Sequence, residues 1–246
     1  NESVIRAELE LDEGDPYSKV RLEKTIANLK SRDIFKTVKQ KVLNGSSKDL
    51  KVLEITVEEK PTGEIMAGAG TGTEGTTLSF ALAENNYLGK GLRVDGSLEV
   101  TESTIRGGLD ITDPNYKYSG NMVTGGISSQ KTDSPDSGYE NTLNSFNIGT
   151  KFEQYDNIFF SPSLQLSFDD LKVDGTASSN IKKQAGSFVD FSFGYGIEKD
   201  TRDRTFMPTD GSLIGFRQGI PLYADEQASF YNKISINKYH GFSDDF

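Results

Sequence analysis

The 246-residue chain has no cysteine, no tryptophan and a single histidine. It also has no apolar run of the ~18 residues that a membrane-crossing helix needs. The lack of cysteine removes disulfides, thiol nucleophiles and cysteine-ligated zinc, but identifies no compartment. The one histidine, His240, has Ser243 and Asp244 beside it in sequence. Triad members must meet in space with distinct roles, and sequence neighbours do not supply that. A metal site of His240, Asp244 and Asp245 would lack ligands from separate parts of the chain. His240 therefore reads as a loop or strand-end residue. Without tryptophan, any interfacial aromatic belt must come from the ten tyrosines and fifteen phenylalanines. Apolar residues make up only 34% of the chain, while glycine is frequent. That is low for a soluble core of this size, but a membrane barrel needs apolar residues only on alternate strand positions. No signal-peptide pattern opens the sequence, and Asn1 falls in mid-pattern, so an upstream region is expected before it.

Charge divides the chain in two. Residues 1–62 carry twelve basic and twelve acidic side chains, so the net charge of −10 falls on residues 63–246. No basic patch points to nucleic acid. An acidic, strand-rich half fits a water-filled lumen and hydrophilic loops; ordinary acidic solubility is the plainer reading of the same charge.

The first 62 residues alternate helix and strand signals. SVIRAELE (3–10) is a short helix candidate, and Glu13-Gly14-Asp15-Pro16 breaks the chain. Ser18 is placed to cap a helix running to Ser31, with Leu22, Ile26 and Leu29 on one face. A strand over 35–42, a turn at Asn44-Gly45-Ser46-Ser47 and a strand over 50–58 follow, the last with Leu53, Ile55 and Val57 on one face. Two helices over a small sheet make an α+β layer. The residues EGDPYS (13–18), the Leu22/Ile26/Leu29 spacing, SRDIFKTV (31–38) and VEEKPTGE (57–64) resemble a POTRA domain. By that resemblance, residues 1–62 form a POTRA domain whose first strand would lie before Asn1.

From residue 63 the period changes to two. Leu92, Val94, Gly96, Leu98 and Val100 alternate with Arg93, Asp95, Ser97, Glu99 and Thr101. The same pattern recurs over 105–112, 158–169 and 189–198. One apolar and one polar face result. No amphipathic helix remains to cover the apolar face, and lipid outside with water inside satisfies both. Less regular strands are predicted at 64–72, 76–84, 117–129, 142–154, 211–221 and 229–239, about ten strands in all. Thr101–Thr104 and Gln154–Asn157 read as tight turns, and Lys131–Glu140 and Asp170–Gln184 as long loops. Short turns at one end and long loops at the other are the expectation for an outer-membrane barrel. A soluble sandwich or jelly roll is the alternative fold.

Chemical motifs fail on context. Gly70-Thr-Gly72-Thr-Glu-Gly75 has the spacing of a dinucleotide loop, but a strand follows it where a helix is required. Asp170, Asp174 and Gly175 vaguely match a calcium loop, yet Lys172 and Ile181 occupy carboxylate positions. Asp169-Asp170 reads as loop solvation. No catalytic constellation, metal site or cofactor site is predicted. Asp200, Arg202, Asp203 and Arg204 read either as a hydrated rim with weak ion pairs or as internal bracing of a barrel through charge-assisted pairs.

GAGTGTEGTTLSFALAENNYLGKG (68–91) and DTRDRTFMPTDGS (200–212) resemble the BamA-type outer-membrane protein assembly factors. The matching positions are Glu84, Asn86, Leu88, Gly89 and Gly91 in the first segment, and Arg204, Phe206 to Thr209 and Gly211 in the second. Thr71 departs from the aromatic residue usual near that position. The resemblance implies a POTRA domain followed by an antiparallel transmembrane β-barrel at 63–246, with about ten of about sixteen strands present. Later family features, an Arg-Gly-Phe type loop motif and the closing strands, are expected beyond Phe246. The implied location is the bacterial outer membrane, with the N-terminal domain in the periplasm. The implied partners are unfolded outer-membrane proteins, accessory lipoproteins, periplasmic chaperones and the lipid bilayer. The implied role is folding and inserting β-barrel proteins through a lateral seam, with no covalent chemistry. The seam strand is Glu64, Ile65, Met66, Ala67, Gly68, Ala69, Gly70, Thr71 and Gly72. A protein-secreting pore of the two-partner secretion type is the alternative.

Overall fold

The computed structural model describes residues 2–47, 49–72, 75–204, 208–225 and 228–241. Its N-terminal unit begins with helices α1 (Glu2–Arg6) and α2 (Lys19–Ser31), followed by strands β1 (Phe35–Asn44) and β2 (Lys51–Glu59). Ser18 caps α2 as its spacing predicts, its hydroxyl accepting from the Arg21 N–H. Leu22, Ile26 and Leu29 are buried with Leu11, and Phe35, Val38, Leu53 and Ile55 pack against them. The one buried polar side chain noted in this core, Thr25, accepts from the Glu10 N–H at 2.9 Å, so its hydroxyl is satisfied. The first helix is shorter than the predicted 3–10: Ala7 and Glu8 form a turn, and the chain leaves helical geometry before Leu9.

The second unit is one antiparallel sheet. Its ten strands run β3 (Gly63–Gly72), β4 (Gly75–Tyr87), β5 (Leu92–Val100), β6 (Thr104–Asp113), β7 (Met122–Ser134), β8 (Tyr139–Tyr155), β9 (Ile158–Val173), β10 (Gly186–Asp200), β11 (Asp210–Ala224) and β12 (Tyr231–His240). Each pairs with its sequence neighbours, and β3 and β12 form the two edges. Register carries one apolar row across eight strands: Ile65, Leu82, Gly96, Leu109, Ile127, Phe146, Leu166 and Phe191. The adjoining row on the other face reads Ala83, Asp95, Asp110, Gly126, Asn147, Gln165 and Ser192. The apolar row stays largely exposed, with Ile65, Leu82, Leu109, Ile127 and Phe146 all open to the surroundings. A sheet apolar on one exposed face and polar on the other is the barrel-wall pattern.

Strand ends and connections differ from expectation. Residues 131–140 are mostly paired strand, since β7 and β8 run in register to Ser134↔Tyr139. The tight turns at 101–103 and 156–157 lie at opposite ends of the sheet, so no end holds only short turns. Ser-, Asp- and Lys-rich stretches read as loops from composition. Here they continue the ladder beyond the apolar band, where water accepts their side chains. The segment at 117–129 also shifts: Tyr116–Tyr118 form a 3₁₀ turn and the strand starts at Met122. Asp170 lies inside β9, away from any calcium-loop geometry. His240 ends β12 opposite Asp210; Ser243, Asp244 and Asp245 fall outside the described residues. So do Thr73 and Glu74 of the glycine motif, and Phe206 and Met207.

The two units meet at a polar joint. Arg32, just past α2, lies 3.6 Å from Glu8 with both side chains mostly buried. Its Nη2 donates to the Gly91 carbonyl at 3.0 Å, and Asn115 Nδ2 donates to the Ala7 carbonyl at 2.8 Å. Gly91 has φ +68°, and a Cβ there would lie 2.4 Å from Arg32 Nη2 and 3.1 Å from Val4 Cγ1. The turn at 84–91 is held by its own residues. Glu84 accepts from the Asn86 N–H and the Thr62 hydroxyl. Asn86 Oδ1 accepts from the Gly91 N–H, and Leu88, Gly89 and Gly91 take positive φ.

The connection 201–209 closes on Asp203. Its carboxylate accepts from the Thr209 hydroxyl at 2.7 Å and from the Thr209 and Asp210 N–H groups. These bonds, the Thr209 hydroxyl first, hold its pKa at about 2.

Two outcomes follow. Gly91→Ala should displace the N-terminal unit, because the left-handed backbone costs a non-glycine residue ~1–2 kcal/mol and the new methyl meets Arg32. Spin labels placed on α2 and on the 114–121 turn of the full-length protein should then show a broadened distance distribution. An unchanged distribution contradicts the joint. Because the Asp203 pKa is depressed, its hydrogen bonds contribute fully above ~4, the ordinary carboxyl value, and are lost as pH falls through about 2. Exchange protection of the Thr209 and Asp210 amides should therefore hold at pH 5 and fall below pH ~3. In Asp203→Asn that acid dependence should disappear.

Candidate functional seam

Strand β3 begins where the N-terminal unit ends. The Lys60 N–H donates to the Ile34 carbonyl, and Lys60 Nζ lies 2.6 Å from Asp33. The Asn85 N–H then donates to the Thr62 carbonyl, fastening the linker to the end of β4. From Gly63 onward the strand has β4 as its single neighbour. All ten of its residues are exposed, Ile65 at 83%.

Its two rows are unequal. Ile65, Ala67, Ala69 and Thr71 oppose Leu82, Phe80, Leu78 and Thr76 on the apolar face. Glu64, Met66, Gly68, Gly70 and Gly72 make the other row. At Gly68 a Cβ would come within 2.7 Å of Ser79 Oγ, which itself donates to the Gly68 carbonyl at 3.5 Å. At Gly70 and Gly72 a Cβ would meet nothing within 4 Å. Packing therefore does not demand glycine at those two positions. What glycine does there is withhold cross-strand side-chain contacts, each worth ~0.2–1 kcal/mol, while leaving the backbone freer than any other residue would.

Length adds to this contrast. β3 has 10 residues, while β8 has 17 and β9 has 16. At ~3.3 Å per residue, β3 just reaches across a hydrocarbon core when tilted, whereas β8 and β9 extend well past it. β5 has 9 residues and β6 and β12 have 10 each, so the sheet is tall at β8 and β9 and low toward both sides.

Asp200, Arg202, Asp203 and Arg204 lie together at the opposite side of the sheet, at the β10–β11 connection. Arg202 grips Asp200 with two hydrogen bonds of 2.8 and 2.7 Å, and Arg204 lies 3.8 Å from Asp203. Arg202 also interacts with Tyr239 of β12, so this cluster links the β10–β11 connection to the strand beyond. Lys151 of β8 and Glu198 of β10, 2.6 Å apart, also reach across an intervening strand. Phe159 of the intervening β9 sits under the ammonium at 4.8 Å. Sequence reading missed this brace because its members are 47 residues apart. The available signal was that Lys151 and Glu198 occupy polar rows of strands separated by one strand. The Arg32, Glu8 and Asn115 joint was missed for the same reason. Among the described residues, no three acidic or histidine side chains converge as metal ligands.

Residues 86–246 match the Omp85 superfamily domain. Residues 1–60 match the POTRA family described as a surface antigen variable number repeat. The outer membrane protein assembly factor BamA of Neorickettsia risticii (strain Illinois) is 22% identical over 220 residues, covering 87% of this chain and 29% of that protein. The crystal structure of BamA from Haemophilus ducreyi lacking POTRA domains 1–3 superposes with a TM-score of 0.73 at 18% identity, over 96% of this chain and 48% of that one. CdiB from Acinetobacter baumannii superposes with a TM-score of 0.51 at 12% identity, over 93% and 44%. The chain thus spans under a third of that curated relative and about half of each solved structure. With a POTRA unit leading into a ten-stranded antiparallel wall, the chain belongs to the Omp85 superfamily and is similar in sequence and fold to the BamA-type proteins.

Proposed function

We propose that this protein is the central component of a machine that folds and inserts β-barrel proteins into the outer membrane, and that β3 is its working strand. The observation that supports the reading is the glycine row of β3: at Gly70 and Gly72 a Cβ would meet nothing, so little cross-strand packing holds the strand. A client strand would add to β3 through main-chain hydrogen bonds, independent of client sequence. The shortness of β3 beside β8 and β9 would thin the bilayer where clients enter. The full protein would close with about sixteen strands, the last sealing against β3 until displaced.

The POTRA unit would lie in the periplasm. It would receive unfolded outer-membrane proteins from periplasmic chaperones and dock accessory lipoproteins. Its hydrogen-bonded linker at Lys60 and Thr62 would pass position directly into β3. No step makes or breaks a covalent bond, so the chemistry is strand exchange.

The resemblance to CdiB in fold keeps one alternative in view, a protein-secreting pore in which the client crosses the lumen. The two readings use different parts of the sheet. The seam reading needs β3 to separate, and the pore reading needs the polar face.

Gly70→Val tests the difference. A Cβ at 70 meets nothing, so the variant should fold, and its side chain should strengthen pairing opposite Thr77 by ~0.2–1 kcal/mol. Under the seam reading, a Gly70→Val/Gly72→Val variant of the full-length protein should reach the membrane in normal amount. It should assemble other barrels several-fold more slowly, scored by heat-modifiable gel mobility of a reporter barrel in proteoliposomes. Normal assembly by a properly folded variant contradicts the seam reading.

A further inference from the structure

Strand β4 outruns its neighbour at the sheet end away from the POTRA unit. The last register pair between β4 and β5 is Leu78↔Val100, while β4 begins at Gly75. Gly75, Thr76 and Thr77 therefore stand past the end of β5. On their other side they pair with Gly72, Thr71 and Gly70 of β3. The outer end of the β3–β4 hairpin is thus an overhang. It contains Gly70 and Gly72, the two positions at which a side chain would meet nothing.

Glu102 bridges the gap. Along an antiparallel ladder, pairs alternate between those that exchange hydrogen bonds with each other and those whose N–H groups point outward. The Thr76 N–H points away from β3 and donates to Glu102 Oε1, in the β5–β6 turn, at 3.3 Å. The carboxylate fills the space beside Gly75, which has φ +80°, and a Cβ there would overlap it. Glycine at 75 thus serves both the left-handed backbone and the close approach of Glu102. The turn that carries Glu102 is itself fixed. Thr101 Oγ1 accepts from the Ser103 and Thr104 N–H groups at 3.3 and 2.9 Å. The Asp133 N–H of β7 donates to the Ser103 carbonyl at 2.7 Å, and the Thr104 and Thr132 hydroxyls lie 3.3 Å apart. A line of hydrogen bonds runs from β7 through the β5–β6 turn to the end of the hairpin, with Glu102 as its last link.

We propose that Glu102 is a positioning residue for the seam: it holds the outer, glycine-rich end of β3 in line with the wall and so sets the register of an arriving client strand. This rests on the reading of β3 as the strand that clients join. Backbone freedom at Gly70 and Gly72 lets the overhang bend, and Glu102 opposes the bend through the Thr76 N–H. With the tie made, an arriving strand pairs along the whole of β3. With the tie lost, pairing is secure as far as Ala69, where Leu78 still has Val100 behind it. A shorter secure ladder specifies register less strongly.

Amide exchange and barrel assembly, both measured on the full-length protein in proteoliposomes, test the two halves of this claim. In Glu102→Ala the Thr76 amide should exchange about fivefold faster, the population change that one lost hydrogen bond of ordinary strength produces. Ser79 to Ala81 should keep their exchange rates, and assembly of the reporter barrel should slow several-fold. Glu102→Gln keeps an accepting oxygen and should behave as the unaltered protein in both measurements. Asp136→Ala removes a carboxylate from a separate turn at the same sheet end and should change neither. Unchanged Thr76 exchange in Glu102→Ala overturns the tie. Faster exchange with normal assembly overturns the positioning role, as does slowed assembly in Asp136→Ala or in a Glu102→Gln variant whose Thr76 amide stays protected. Gly70→Val/Gly72→Val run alongside separates this claim from the seam reading. If it slows assembly and Glu102→Ala does not, the role of Glu102 alone is wrong; if neither does, the seam reading fails with it. Should Glu102→Ala fail the heat-modifiable mobility check for folding, Glu102→Asp, one methylene too short to reach Thr76, carries the same expected outcomes.

Discussion

An unpaired backbone N–H or C=O in hydrocarbon has no water to bond, and each costs several kcal/mol. The rest of this structure depends on that constraint. It makes the chain answer the membrane with one continuous ladder from β3 to β12. It lets side chains on the apolar face be as unremarkable as Ala67 and Ala69, because the backbone, more than side-chain packing, holds the wall together. It also concentrates functional possibility at the edges. Inside the ladder every strand has two partners. Under the proposed function, the second set of groups on β3 would be open to an incoming strand of any sequence.

The POTRA unit is stabilised by a different force and joined by a third. Its small core around Leu22, Ile26 and Leu29 is ordinary apolar burial in water. Its attachment to the wall is polar, through Arg32, Glu8, Gly91 and Asn115. A polar joint between a water-stabilised unit and a lipid-stabilised wall is suited to fixing orientation. It can also be broken without unfolding either side, since neither core passes through it.

Much of this was legible in the sequence where the signal is local. Ser18 and the Leu22/Ile26/Leu29 spacing predict α2 within a residue of its observed ends, and the alternating rows predict which strand residues share a face. The turn motif at Glu84, Asn86, Leu88, Gly89 and Gly91 is visible as a pattern, and its reasons appear in the hydrogen bonds and positive φ values. Strand ends were misread at 131–140 because polar composition signals water, and strands that rise above the lipid also meet water. The Lys151–Glu198 brace and the Arg32 joint were out of reach, because both depend on which strands become neighbours and how far each is shifted. The Glu102 tie needed the register too, since the overhang of β4 past Val100 exists only once the ladder is aligned.

The central claim is that β3 is the weakly held strand of an otherwise strongly paired wall. Backbone amide exchange in the full-length protein, reconstituted in a bilayer, tests it most directly. Amides of Ile65 to Ala69 should exchange much faster than those of Thr142 to Phe146 in β8, the segment the ladder aligns with them, without client present. Equal protection of the two segments would contradict the claim, since it would mean that the seam is held as firmly as the centre of the sheet.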